Sequence, residues 1–295
     1  METSATRTAP SPRAPSRPKV GLVIGSGGIK CAAGIGLWRA LHHSGIRPDV
    51  LVGCSGGSLY TALMALGRDP DDAETFTVGM WDHVFSKVRV RSLVRLAFPR
   101  LFGFTERVGF LDDQAIGEAF DQIYGDATFA DAEVPLHLVA SDLHTAETVV
   151  ITDGRLRDAI RASIALPLLL RPWPIDGRLL IDGGTSNPLP IDVAIREGCE
   201  VIIAMGFENQ PTASITSFSG LVGRTTTITI NHLIRSTYAF YSAAHHAEIV
   251  PIMPDFGGPV SLKDAHRIPD LIRAGEEAAE TAVPYLQSLL SASPR

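Results

Sequence analysis

Two apolar runs, each cut short by glycine and followed at once by a helical pattern, constrain this chain more than any other feature. Residues 19–25, KVGLVIG, read as a buried strand, and residues 29–45, IKCAAGIGLWRALHHSG, as a helix stopped at Gly45. Residues 49–53, DVLVG, repeat the strand, and an apolar helical pattern then runs to about Gly67. Strand, helix, strand, helix in that order requires right-handed crossovers, and these build a parallel sheet.

The rest of the chain extends the pattern. Strand character returns at 134–143 (VPLHLVASDL), 148–152 (TVVIT), 178–184 (RLLIDGG) and 247–254 (AEIVPIMP). Residues 156–166 are helical up to Pro167, 190–206 form a further helix–strand unit, and 264–290 form a closing helix with a break expected near Pro284. The expected fold is one α/β domain over 19–290 with a helical insertion around 70–130. With 295 residues, 45% of them hydrophobic, the chain can bury a large core. Residues 1–18 are rich in Pro, Ser, Ala, Thr and Arg and lack the apolar centre of a secretory signal, so a disordered tail is expected.

Composition also narrows the function classes. A net charge of −6 argues against a nucleic-acid partner. Cys31, Cys54 and Cys199 have neither CxxC nor Cys/His spacing, so no zinc site or disulfide framework is expected and a reducing, cytoplasmic setting fits. There is no charge-free apolar run of eighteen residues, so no spanning helix is expected.

The second strand ends in Gly53-Cys54-Ser55-Gly56-Gly57, a G-x-S-x-G turn between a strand and a helix. A chain that ends a strand, reverses and starts a helix within a few residues needs small neighbours, and it holds the serine hydroxyl out of the sheet. The helix N-terminus behind it favours developing negative charge. The same spacing also serves a glycine-rich turn with an N-capping serine.

Residues 25–30, GSGGIK, form a second glycine turn from strand to helix, where the Gly27 and Gly28 N–H groups can hold an anion or an oxyanion. A dinucleotide fingerprint would need glycine where Lys30 stands, and a Walker loop is absent. Asp182, in IDGGTSNPLP (181–190), closes an apolar strand and is followed by Gly183 and Gly184. An acid at that end of a strand sits where α/β folds build sites, although a turn aspartate bonding its own backbone has the same look. None of the nine histidines is singled out by its setting. If none serves Ser55, its base must be a carboxylate whose proton affinity is raised by burial.

In this order, glycine loop, serine elbow and Asp-Gly-Gly resemble the patatin-like phospholipases, most closely their bacterial branch. The resemblance covers about Lys19 to Ala279 and includes RASIALPLLLRPW (161–173), similar to the family's Ser-x-x-x-Pro segment, and the C-terminal stretch 255–279. It implies a three-layer α/β/α fold with a mostly parallel central sheet, and hydrolysis of fatty acyl esters of phospholipids, lysophospholipids or neutral lipids without metal, cofactor or histidine. Ser55 would be the nucleophile, Asp182 its partner in a dyad, and Gly27, Gly28 and Gly56 the oxyanion donors. Lys30, Gly53, Gly57, Gly183 and Gly184 would support the motifs. Ser26 and Cys31 depart from the family's glycines; a positive φ at either would cost on the order of 1 kcal/mol.

Residues 84–104, VFSKVRVRSLVRLAFPRLFGF, carry five basic side chains, four phenylalanines and no acid. This pattern fits a lid or interfacial segment that meets anionic lipid, and equally a packed helix with a solvated basic face. Two other function classes remain open on sequence: a Ser-His-Asp carboxylesterase, using Asp182 with a later histidine, and a lipid-binding regulatory protein with a weak site. Oligomeric state is not encoded in any motif.

Overall fold

The computed structural model describes residues 17–85, 106, 109, 111, 113–208, 210, 215 and 218–291. The tail proposed over 1–18 lies outside these residues except for its last two; Arg17 forms a two-pronged ion pair with Asp49. Segment 84–104 also lies outside them, save for the end of one helix at Phe85.

Eight strands form one sheet: β1 (Val20–Ile24), β2 (Val50–Cys54), β3 (Leu136–Asp142), β4 (Thr148–Ile151), β5 (Trp173–Ile175), β6 (Arg178–Asp182), β7 (Val201–Met205) and β8 (Glu248–Ile252). Their order is β5-β6-β3-β2-β1-β7-β8, with β4 also paired to β3. The run from β3 through β8 is parallel, as the strand–helix alternation demands, whereas β4, β5 and β6 join antiparallel. The strands at the two ends of that order, β5 and β8, each carry a proline, Pro174 and Pro251, which lacks the N–H a ladder would use.

Among the described residues the helices are α1 (Ala33–His43), α2 (Gly56–Ala65), α3 (Pro70–Phe85), α4 (Asp113–Tyr124), α5 (Leu156–Ser163), α6 (Ile191–Arg196), α7 (Phe218–Ala244) and α8 (Ile268–Ser291). Alternate residues of each central strand feed two cores. Leu22, Ile24, Ile203 and Met205 face a large core closed by α1 to α5 and α8. Val23, Val52, Ile202 and Ala204 face a smaller one closed by α6 and α7. The layers are therefore helix, sheet, helix, as expected for an α/β/α fold.

The first and last helices touch backbone to backbone. A Cβ on Gly36 would lie 2.0 Å from the Ile272 carbonyl oxygen, and one on Gly275 would lie 2.0 Å from that of Ala33. Helix α8 runs past Pro284 instead of breaking there. Pro284 is exposed, so water can satisfy the carbonyl that its missing N–H leaves free.

Candidate active site

Ser55 sits between the last residue of β2 and the first of α2 with φ 54° and ψ −128°, a conformation that non-glycine residues rarely adopt. The turn is compressed on every side. A Cβ on Gly57 would meet the Ile24 carbonyl oxygen at 2.2 Å, and one on Gly53 would meet Thr61 Oγ1 at the same distance. The Ser55 N–H donates to Ser163 Oγ at 2.9 Å, and the Ser163 hydroxyl donates to the Val139 carbonyl at 2.6 Å. Ser163 is fully buried, so it pins the strained residue to β3. Sequence reasoning gave Ser163 no role, although it lies in the quoted RASIALP stretch.

The Ser55 hydroxyl donates to Asp182 Oδ2 at 2.6 Å. Asp182 reaches it on an antiparallel strand. Strand β6 is antiparallel to β3, so Asp182 descends into the sheet and pairs with Ala140, one residue past the Val139–Cys54 pair. Ser55 and Asp182 therefore flank a single residue of β3. The other carboxylate oxygen, Oδ1, accepts the Gly184 N–H at 2.7 Å. Ser55 and Asp182 are 6% and 3% exposed. Burial lifts the Asp182 carboxyl from 3.8 to about 6, against the opposing pull of its Ser55 and Gly184 hydrogen bonds. Neither residue hydrogen-bonds to a histidine among the described residues.

The glycine loop lies directly against the serine elbow. A Cβ on Gly56 would be 2.5 Å from the Gly28 carbonyl oxygen, so only glycine lets the two turns approach this closely. Gly28 is the loop residue with positive φ, at 58°; Ser26 and Cys31 have none, and their replacement of glycine carries no such strain. Buried Cys31 donates to the Gly25 carbonyl, and the Gly27 N–H bears on its sulfur. Burial pushes the Cys31 and Cys54 thiols up, which keeps them neutral. Gly28 and Gly56 stand at helix starts, where an N–H has no intrahelical acceptor.

Lys30 is buried, and its ammonium donates to the Glu208 carbonyl at 3.2 Å, tying the glycine loop to the end of β7. Burial lowers its pKa to about 8. A cleft of about 390 Å³ opens beside it, lined by Glu208, Asp255 and Phe256 among others, and does not include Ser55 or Asp182. Gly183 backs onto β3, where a Cβ would meet the Val139 carbonyl oxygen at 2.2 Å, and Gly184 backs onto Ser26. Among the described residues no group of three or more His, Cys, Asp or Glu is placed to hold a metal ion.

A layered α/β/α fold with a serine elbow bonded to a buried carboxylate defines a class of hydrolase-like proteins. The patatin-like phospholipase family model matches residues 22–195, and the chain belongs to that family. An uncharacterized NTE family protein of Mycobacterium bovis is 30% identical over 232 residues, which span 79% of this chain and 60% of the relative. Patatin-like phospholipase domain-containing protein 7 of Rattus norvegicus is 30% identical over 201 residues, 68% of this chain and 14% of that protein. The chain thus matches about three fifths of the mycobacterial relative and a small part of the rat one. Among solved structures, VipD from Legionella pneumophila superposes with a TM-score of 0.50 at 12% identity, covering 92% of this chain and 67% of VipD. That likeness concerns the fold alone.

Proposed function

We propose that this protein is a lipid acyl hydrolase that works through a Ser55–Asp182 dyad and an acyl-enzyme, with phospholipids or lysophospholipids as substrates. The observation that carries this reading is the 2.6 Å hydrogen bond from a strained, buried serine to a carboxylate whose proton affinity burial has raised. Asp182, ionised near neutrality, takes the Ser55 proton as Oγ attacks the acyl carbonyl. The Gly28 and Gly56 N–H groups hold the resulting oxyanion, while the Gly27 N–H faces the Cys31 sulfur. Collapse of the tetrahedral species expels the alcohol, which receives the proton from Asp182. Water, deprotonated by the same carboxylate, then releases the fatty acid and restores Ser55.

Membership of a phospholipase family supports the substrate class. The direct bond from the Ser55 hydroxyl to Asp182, with no histidine bonded to either residue among the described residues, supports the dyad over a triad. The test is labelling with a fluorophosphonate probe, read by intact mass on wild type, Ser55→Ala and Asp182→Asn. One adduct on wild type and none on either variant is the expected result. Labelling of Asp182→Asn at the wild-type rate would remove Asp182 from the mechanism, and a histidine variant that abolishes labelling would establish a triad instead.

A further inference from the structure

Helix α7 is long, and its packing on the smaller core is confined to its second half, from Ile230 to Tyr241. It joins the parallel strands β7 and β8, so it runs antiparallel to both. Its anchor points lie at the end of β7: Ile234 is fully buried, Tyr238 donates to the Ala204 carbonyl, and Arg235 pairs with Glu208. Gly206 packs against Ile234 and Tyr238. Ile230, one turn earlier, also packs on the smaller core, and twelve residues precede it in the helix, about 18 Å at 1.5 Å per residue. They project past the sheet edge on which β2 delivers Ser55, and none of residues 220–233 is buried.

The exposed face of this helix is apolar and carries no acid. Leu221, Val222, Thr225, Ile228, Thr229 and Phe240 fall within about 120° of its circumference at 100° per residue. Leu221 is 49% exposed, Ile228 50% and Phe240 62%. His232 is the one titratable side chain in that sector. From Asn209 to Ala247 the sequence contains no Asp or Glu, but two arginines and three histidines, in a chain of net charge −6. Acidic side chains are absent from this element, which suits a surface bearing phosphate groups.

We infer that the exposed face of α7 is a lipid-docking surface, which lays Leu221, Ile228 and their neighbours into the interfacial zone of a phospholipid bilayer and holds the Ser55 edge of the sheet against it. The inference rests on the lipid-hydrolase reading for the identity of the surface, and it places the docking element outside segment 84–104. A second copy of the chain would match the apolar side chains but gains nothing from the missing carboxylates.

The test compares wild type with a Leu221→Glu/Ile228→Glu variant, whose side chains are exposed and do not build the core. Flotation with vesicles of phosphatidylcholine and phosphatidylglycerol is expected to show at least ten-fold weaker binding by the variant. Hydrolysis of a soluble short-chain ester should stay unchanged while hydrolysis of vesicle phospholipid falls by a similar factor. Equal flotation of the two proteins overturns the inference. So does a wild-type dimer, seen by sedimentation velocity, that the variant dissolves. Loss of all ester hydrolysis in wild type would count against the hydrolase reading alone, because flotation still reads the docking face.

Discussion

Replacing Asp182 with asparagine should abolish turnover and stabilise the fold in the same step. Asp182 is 3% exposed, and its carboxyl is lifted from 3.8 to about 6. Between those values the folded protein keeps a proton that the unfolded chain releases. Stability therefore falls as pH rises through that window and stays lower above it. At about 1.4 kcal/mol per pH unit, the gap makes ionised Asp182 cost on the order of 3 kcal/mol near neutrality. Asparagine has the same shape, accepts the Gly184 N–H through its carbonyl and has no charge to desolvate. Denaturant unfolding should show Asp182→Asn more stable by about 3 kcal/mol at pH 8 and by only about 0.5 kcal/mol at pH 4, where the wild-type carboxyl is protonated in the folded state. Equal or lower stability of the variant at pH 8 would refute the reasoning, as would a gain that persists undiminished at pH 4.

The same carboxyl sets a rate profile: kcat/KM for a soluble ester should rise along a single-proton limb centred near pH 6, and a flat profile from pH 5 to 8 would exclude Asp182 as the base. Ser163→Ala leaves the Ser55 N–H without its acceptor, so kcat should fall about ten- to a hundred-fold with KM nearly unchanged, while Ser163→Thr retains most activity. A Cβ at position 184 would lie 2.4 Å from Ser26 Oγ, so Gly184→Ala should cost about 1–3 kcal/mol in thermal or denaturant unfolding. Adding Ser26→Gly should recover most of that loss, giving a coupling energy of about 1 kcal/mol or more.

The central strands, their flanking helices and both glycine turns were legible because each carries a local signal: an apolar run, a breaker and a new period. Asp182 was legible as a residue but not as a direction, since nothing local distinguishes a strand entering the sheet antiparallel from one entering parallel. Helix α7 was not legible at all. Its stretch Thr225-Thr226-Thr227-Ile228-Thr229-Ile230 is β-branched throughout and prefers strand, and the helix is fixed by distant contacts of Ile234, Tyr238 and Arg235. Pro284 misled for the converse reason: the local rule predicts a break, and an exposed face let the helix continue. Ser163 was visible only as part of a Ser-x-x-x-Pro stretch with no role of its own, because its partners, Ser55 and Val139, are far from it in sequence.

The meeting of α1 and α8 sets a timetable for the nascent chain. Gly36 and Gly275 lie about 240 residues apart, which at roughly 5–20 residues per second takes on the order of 10–50 s to synthesise. The serine elbow leaves the ribosome first and the aspartate later, and the wall behind the helix that follows the glycine loop comes later still. A chain still being translated thus holds its nucleophile before it holds the support for the loop beside it. The order of synthesis by itself sets that delay.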